Sequence, residues 1–207
     1  MDTHLAKGRI LFLDDQRDAV EPYVAHLKSE GFTNVDVMTD VKALNQVVDA
    51  NADLIFLDIT GVATALNSAD EGLSVLEYVK KHQPWTQVIV LSGSDFPASK
   101  AKSLSKADLC ITKGSLNLAE LVNVTEDQLK QAVAPEYRNV KILTVLEKRI
   151  EDMNLGWWKK KKLRKLIAEA RAHEGDPSYD WNKLVSRSKE TLSVAANVAK
   201  IVAAFSV

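Results

Sequence analysis

Short apolar runs alternate with amphipathic segments over the first half of the chain. The apolar runs cover residues 10–13, 35–38, 54–57, 88–91 and 109–112. Runs of this length are typical of parallel strands that are buried on both faces. The segments between them have the spacing and end signals of helices and include residues 17–29, 40–50 and 70–82. The alternation predicts an α/β fold in which helices cover both faces of a five-stranded parallel sheet.

Polar side chains stand where several of these runs end. Asp14 and Asp15 follow the first run, and Asp58 follows the third. Ser92 and Lys113 follow the fourth and fifth runs. Because ligands of parallel sheets bind beyond the carboxyl ends of the strands, we expect these side chains to converge on one site. The alternative is that the acids only cap helices in a solvated loop, but neighbouring carboxylates without a cation would repel one another.

This ordered set of an acid pair, an acid, a hydroxyl and a lysine resembles the receiver domain of two-component response regulators. The resemblance covers about residues 7–124, somewhat more than half of the chain. It implies a flavodoxin-like, doubly wound sheet in which Asp58 accepts a phosphoryl group. Lys113 would pair with one phosphoryl oxygen, and the Ser92 hydroxyl would contact another. The donor of the phosphoryl group would be a sensor histidine kinase or a phosphotransfer protein.

The resemblance also implies a Mg²⁺ site. Asp15 would bind the metal directly, and Asp14 would bind it through a water molecule. Asp58 and the backbone carbonyl of Thr60 would complete the protein ligands. Mg²⁺ prefers hard oxygen ligands and offsets the repulsion between an aspartate and a phosphoryl group.

Three features depart from the usual pattern of that family. Gly114 follows Lys113 where a proline is usual, and Cys110 occupies the position of an aromatic residue that reports phosphorylation. The segment after Asp58, residues 59–72, is longer than usual and rich in small residues, so we predict a mobile flap over the site. These departures affect the route of switching more than the chemistry. They also leave open a receiver-like scaffold that acts independently of phosphorylation.

The enzyme that would fit this pattern of acids best is a phosphatase of the haloacid dehalogenase type. Such an enzyme also forms an aspartyl phosphate at the end of its first strand. That class needs an acid two residues after its nucleophile, and Gln16 stands two residues after Asp14. The general acid of such a hydrolase would therefore be missing. We expect a signalling protein rather than an enzyme.

Composition and charge indicate a globular protein with two different halves. The chain has 207 residues, 46% of them hydrophobic, with a single cysteine and no apolar signal core after Met1. A reducing cytoplasm is the expected compartment. The longest mostly apolar stretch, residues 192–205, is too short for a membrane span. A cut after Gly114 separates a half of net charge −5 from a half of net charge +4.

Only helical patterns follow the last apolar run. Thr125 begins a sequence that matches a capping box, and Pro135 suits the first turn of a further helix. We therefore predict a receiver domain over residues 1–124 and an all-α region over residues 125–207 that serves output or dimerisation. Its last helix, predicted over residues 180–205, is apolar enough to close a helical core or to form a homodimer seam.

A basic helix with two tryptophans is predicted over residues 157–173. Between Trp157 and Lys165, six basic side chains adjoin both indoles. Such a segment could bind nucleic acid, an anionic membrane or an acidic protein. It could also be a plain amphipathic helix with solvated lysines, whose core face includes Trp158. Because the helices do not form a convincing helix-turn-helix pattern, we favour output through protein contacts over sequence-specific DNA binding.

Overall fold

The computed structural model describes residues 3–66, 70–93, 98–150 and 155–192. The chain divides into two compact units, residues 1–133 and residues 134–207. The first unit contains a β-sheet, and the described part of the second unit is helical. Among the described residues, no helix is both long enough and apolar enough to cross a membrane.

The five predicted strands form one parallel sheet. They are β1 (Arg9–Leu13), β2 (Asn34–Met38), β3 (Leu54–Asp58), β4 (Gln87–Ser92) and β5 (Leu109–Thr112). Their order across the sheet is β2-β1-β3-β4-β5. The direction of winding reverses between β1 and β3, and ligands of doubly wound sheets bind at such a switch point. The predicted flavodoxin-like architecture is confirmed.

Helices cover both faces of the sheet. Those of the first unit are α1 (Thr3–Ala6), α2 (Arg17–Ser29), α3 (Leu44–Asp49), α4 (Gly72–His82), α5 (Ala101–Leu104) and α6 (Leu118–Val133). Alternate residues of a strand point to opposite faces. Phe12 therefore packs in the core under α2 and α6, where it stacks on Phe56 with ring centroids 4.6 Å apart. Leu11 and Leu13 pack in the other core, with residues of α3 and α4.

Helix α3 begins later than predicted, at Leu44 rather than at Asp40. The Gln46 side chain accepts hydrogen bonds from the backbone N–H groups of Lys42 and Ala43, at 3.0 and 3.2 Å. The helix starts late because the Gln46 amide satisfies the donors that directly precede Leu44.

Helix α6 runs without a break across the predicted domain boundary after residue 124. Thr125 is buried in the middle of this helix, and its hydroxyl donates a hydrogen bond to the Leu121 carbonyl at 2.6 Å. The predicted capping box at Thr125 is wrong, since this side chain bonds back along the helix. Leu121 and Leu129 are both fully buried in a core of the first unit. The first unit therefore extends beyond residue 124, to residue 133.

The described part of the second unit contains α7 (Pro135–Arg149), α8 (Trp157–Ala172) and α9 (Trp181–Leu192). Pro135 lies in the first turn of α7, as predicted. Buried aliphatic side chains at helical spacing form the core of this unit: Ile142, Leu143, Leu146, Ile150, Leu163, Leu166, Ile167 and Leu184. The predicted continuation of the last helix to residue 205, with the suggested homodimer seam, lies outside the described residues.

A ring stack and a charge cluster join α8 to the turn that precedes α9. Tyr179 stacks on His173 with ring centroids 4.0 Å apart, and its hydroxyl donates a hydrogen bond to Glu169. Glu169 also pairs with Arg187 at 2.7 Å. Hydrogen bonds from Arg187 and Tyr179 lower the pKa of Glu169, while burial and the Glu169 contact raise the pKa of Tyr179 to about 12. These contacts fix the connection between α8 and α9.

Candidate functional site

Three carboxylates meet at the carboxyl ends of β1 and β3. Asp14 and Asp58 are only 1% and 7% exposed, whereas Asp15 is exposed to solvent. One carboxylate oxygen from each of the three residues lies within 4.8 Å of the others. The two strands are paired neighbours, with Leu13 opposite Leu57, so both end at the same edge of the sheet. The acids converge, as the sequence predicts.

Lys113 places its ammonium group between the two buried acids. It follows β5, and its Nζ atom lies 2.7 Å from Oδ2 of Asp14 and 2.7 Å from Oδ2 of Asp58. Burial of the ammonium group lowers its pKa, but the hydrogen bonds to both carboxylates and their negative charges together outweigh burial, so the pKa of Lys113 is raised. The lysine is therefore a fixed positive charge at neutral pH.

Backbone N–H groups hold the other oxygen of each buried acid. The N–H group of Gln16 donates to Oδ1 of Asp14 at 2.9 Å, and that of Thr60 donates to Oδ1 of Asp58 at 3.0 Å. Buried charges need partners of this kind. Each carboxylate is thus oriented by the loop after its own strand on one side and by Lys113 on the other.

A cavity of about 310 Å³ opens at this edge of the sheet. It is lined by Asp15, Gln16, Asp58, Thr60, Gly93 and Lys113. Ser92, the last residue of β4, is 3% exposed. Since β4 lies between β3 and β5, the Ser92 position falls between those of Asp58 and Lys113. All the predicted site residues therefore lie at one edge of the sheet.

The long loop after Asp58 is tied to the rest of the first unit. Val62 and Ala63 are 1% and 6% exposed and belong to the core that contains α4. The N–H group of Gly61 donates a hydrogen bond to Oε2 of Glu71 at 3.1 Å. These contacts anchor part of the segment for which a mobile flap is predicted. Residues 67–69 of that segment lie outside the described residues. Glu71 cannot be recognised from the sequence, because one glutamate in a long loop belongs to no motif.

Two of the differences from the usual family pattern lie close to Lys113 in the sequence. Cys110, at the position of the usual aromatic residue, is an exposed residue of β5. Gly114 lies in a short 3-10 turn, Lys113–Ser115. Lys113 still reaches both buried acids. The turn with Gly114 in place of proline therefore aims the lysine correctly.

Comparison with known proteins matches the region that carries this site. The response regulator receiver domain matches residues 10–126. The chain belongs to the response regulator receiver family. An NtrX-like response regulator of Rickettsia typhi is 33% identical over 84 residues, which make up 41% of this chain and 17% of that protein. The nitrogen assimilation regulatory protein NtrX of Azorhizobium caulinodans is 26% identical over 136 residues, 65% of this chain and 29% of that protein.

The matched segments are less than a third of the length of either NtrX relative. Receiver domains of known structure are also similar to this chain. A CheY-like receiver domain protein from Methanospirillum hungatei JF-1 superposes with a TM-score of 0.50 at 22% identity, over 61% of this chain and 96% of the other. The receiver domain of the Francisella response regulator 1452 gives a TM-score of 0.50 at 24% identity, over 60% and 98%. These likenesses show the receiver fold.

A second candidate site lies on α8. Trp157 and Trp158 are 60% and 74% exposed, and Nζ of Lys161 lies 5.1 and 5.7 Å from the two ring centroids. The alternative in which Trp158 belongs to the core face of an amphipathic helix is wrong on this point, because Leu163 and Leu166 are fully buried whereas Trp158 is exposed. The start of α8 therefore presents two indoles and a lysine to solvent.

Proposed function

We propose that this chain is a response regulator in two-component signalling and that Asp58 accepts its phosphoryl group. The observation that carries the proposal is the position of the Asp58 carboxylate, which borders the cavity beside two further acids. An Asp58 oxygen attacks the phosphorus of a phosphohistidine or of a small acyl phosphate. The bond from phosphorus to the donor breaks, and the donor leaves with the electron pair.

Mg²⁺ is the metal that this donor set fits, because carboxylates and a backbone carbonyl are hard oxygen ligands. Asp15 would hold it directly and Asp14 through water. Asp58 and the carbonyl of Thr60 would be the remaining protein ligands. When bound, Mg²⁺ supplies positive charge that offsets the repulsion between the aspartate and the incoming phosphoryl group.

Lys113 and Ser92 serve the phosphoryl group after transfer. Lys113 bridges Asp14 and Asp58. Its positive charge therefore lies close to where the oxygens of a phosphoryl group on Asp58 would be. The Ser92 hydroxyl then contacts another phosphoryl oxygen. Movement of these two side chains toward the modified aspartate would bias the loops at the sheet edge between two states.

Membership of the receiver family suggests the partners. A sensor histidine kinase or a phosphotransfer protein supplies the phosphoryl group in the cytoplasm, and the helices after residue 133 pass the signal on through protein contacts, which include a homodimer. The chain then works as a signalling protein and not as a hydrolase. A receiver-like scaffold that functions without phosphorylation is the competing hypothesis, which the departures at Cys110 and Gly114 leave open.

The test is intact-protein mass spectrometry after incubation with acetyl phosphate, with and without Mg²⁺. We expect one phosphoryl adduct that needs Mg²⁺ and is absent from Asp58→Asn. Size-exclusion chromatography of the same samples reports whether modification changes assembly. A folded wild-type chain that gains no adduct with Mg²⁺ present would favour the scaffold.

A second candidate function, binding of single-stranded nucleic acid by α8, is supported by the exposure of both indoles. Exposed aromatic rings stack on unpaired bases, and lysines and arginines neutralise the phosphates between them. Trp157 and Trp158 share the solvent-facing side of the helix with Lys161, Lys162 and Arg164. This function is compatible with a receiver in the same chain, since it would be its output.

A further inference from the structure

One backbone position of the long loop touches the acidic site. Gly61 has φ of +82°, in the region that favours glycine. A Cβ atom on this residue would lie 2.4 Å from Oδ2 and 2.5 Å from Cγ of Asp15. The Gly61 backbone therefore packs directly on the Asp15 carboxylate. Asp15 is exposed to solvent, so this contact restricts the one acid of the site that is not enclosed by the core.

Glu71 holds Gly61 in that position. Its Oε2 atom accepts the hydrogen bond from the Gly61 N–H group at 3.1 Å. Glu71 itself has φ of +43°, although it is not a glycine. A non-glycine residue in this conformation persists only where the surrounding structure holds it there.

The residue after Glu71 ties the end of the loop to Asp58. The N–H group of Gly72 donates to the Ile59 carbonyl at 3.3 Å. A Cβ atom on Gly72 would lie 2.3 Å from the carbonyl oxygen of Asp58. The backbone beside Glu71 is thus fixed against the end of β3. Its side chain therefore reaches Gly61 from an anchored position.

We propose that Glu71 is a positioning residue of the cation site, which keeps the Gly61 backbone against Asp15 and so fixes that carboxylate beside Asp14 and Asp58. The inference rests on the proposed function only in taking the ligand to be the divalent cation of a receiver. Groups that orient metal ligands from outside the coordination sphere raise metal affinity, because the ligands need not be ordered on binding.

The experiment measures divalent cation affinity of the full chain, without any phosphodonor. Mn²⁺ serves as the probe, and electron paramagnetic resonance reports the free ion during a titration. We expect Glu71→Ala to weaken Mn²⁺ binding by about tenfold, the lower end of the range for residues outside the coordination sphere. Glu71→Gln keeps a carbonyl acceptor for the Gly61 N–H group, and it should bind close to the wild-type level.

A pair of glycine variants tests the contact between the Gly61 backbone and Asp15 directly. Gly61→Ala forces the Asp15 carboxylate to move and should also weaken Mn²⁺ binding. Gly156→Ala is the matched control, since a Cβ atom there meets nothing within 4 Å, and its affinity should not change. Circular dichroism and thermal unfolding establish that each variant is folded. If Glu71→Ala fails to fold, Glu71→Asp takes its place, because its shorter side chain withdraws the carboxylate from the Gly61 N–H group and should also weaken Mn²⁺ binding.

Wild-type affinity in folded Glu71→Ala or in Gly61→Ala overturns the inference, as does affinity in Glu71→Gln as weak as in Glu71→Ala. A wild-type chain that binds no Mn²⁺ overturns it too. Failure of the proposed function is a separate result, because it shows as the absence of a phosphoryl adduct while the Mn²⁺ affinities keep their expected order.

Discussion

Nζ of Lys113 lies 2.7 Å from Oδ2 of Asp58, although 55 residues separate the two in the sequence. The same Nζ atom lies 2.7 Å from Oδ2 of Asp14. One ammonium group therefore balances two buried carboxylates. Its removal would leave two negative charges close together at the end of a buried sheet, where neither is well solvated.

We expect Lys113→Met to lower the free energy of unfolding by about 1.5–3 kcal/mol without Mg²⁺, the range for hydrogen bonds to charged groups. Urea unfolding followed by circular dichroism measures the loss. Mg²⁺ should restore part of it, because a cation bound by the acids replaces some of the missing positive charge. Equal stability of variant and wild type without Mg²⁺ would show that Lys113 does not balance the acids.

The raised pKa of Lys113 predicts how this stabilisation depends on pH. Folding favours the protonated lysine, so its contribution is complete below the unfolded-state pKa, about 10.4. The contribution is lost as the pH rises through the higher pKa of the folded state. The difference in unfolding free energy between wild type and Lys113→Met should therefore be constant from neutral pH to about pH 9.5 and shrink above about pH 10.5. A difference that grows with pH would contradict this sign.

The end of the first unit gives a prediction about truncation. A chain that stops at residue 133 keeps all of α6 and should unfold cooperatively, whereas one that stops at residue 124 loses Leu129 and Ala132, which are 0% and 2% exposed. Within the full chain, Leu129→Ala should cost about 2–5 kcal/mol, as for other buried leucines. Chemical unfolding measures both effects. Cooperative folding of residues 1–124 at the stability of residues 1–133 would place the boundary where the sequence suggested.

The sequence predicts the sheet and the edge where the acids meet because both depend on short-range patterns. Buried parallel strands are apolar along their whole length, and the residue at each strand end is read directly from the chain. The orientation of Asp58 by the Thr60 N–H group could be expected from the same spacing. The contact of Gly61 with Asp15 could not, because it depends on the path of a long loop that no periodicity describes.

Helix ends and exposed aromatic side chains were predicted less well. Thr125 matches a helix start, but the core contacts of Leu121 and Leu129 carry α6 through that position. The amphipathic alternative for α8 places Trp158 on the core face by helical spacing, yet Trp158 is 74% exposed. Tertiary packing determines both the extent of α6 and the exposure of Trp158. Helical spacing in the sequence does not reveal that packing.

Exposure of the two indoles predicts how α8 would respond to nucleic acid. Trp85 and Trp181 are 8% and 5% exposed, so Trp157 and Trp158 should dominate quenching of tryptophan fluorescence by an oligothymidylate. The logarithm of the affinity should fall linearly with that of the salt concentration, with a slope of about −0.7 for each phosphate neutralised. Quenching that does not depend on salt, or none at all, would argue against this output.

A comparison of the loss of affinity per charge removed separates specific binding by α8 from general attraction to a basic region. Lys161→Gln with Lys162→Gln removes two exposed charges beside the indoles and should weaken binding and flatten the salt dependence. Lys183→Gln removes an exposed charge from α9 and should have a small effect. Equal losses per charge in both variants would indicate nonspecific electrostatic binding, and stronger binding to anionic vesicles than to the oligonucleotide would indicate a membrane partner.

The most direct measurement is the location of the phosphoryl group in the chain. Borohydride reduces an aspartyl phosphate to homoserine, and tandem mass spectrometry identifies the converted residue. After acetyl phosphate and Mg²⁺, we expect conversion at Asp58 in the wild-type chain. Asp58→Asn should show no conversion, and a chain treated without Mg²⁺ should show little. Conversion at Asp14 or Asp15, or a phosphoryl group that persists in Asp58→Asn, would contradict the assignment of Asp58 as the phosphoacceptor.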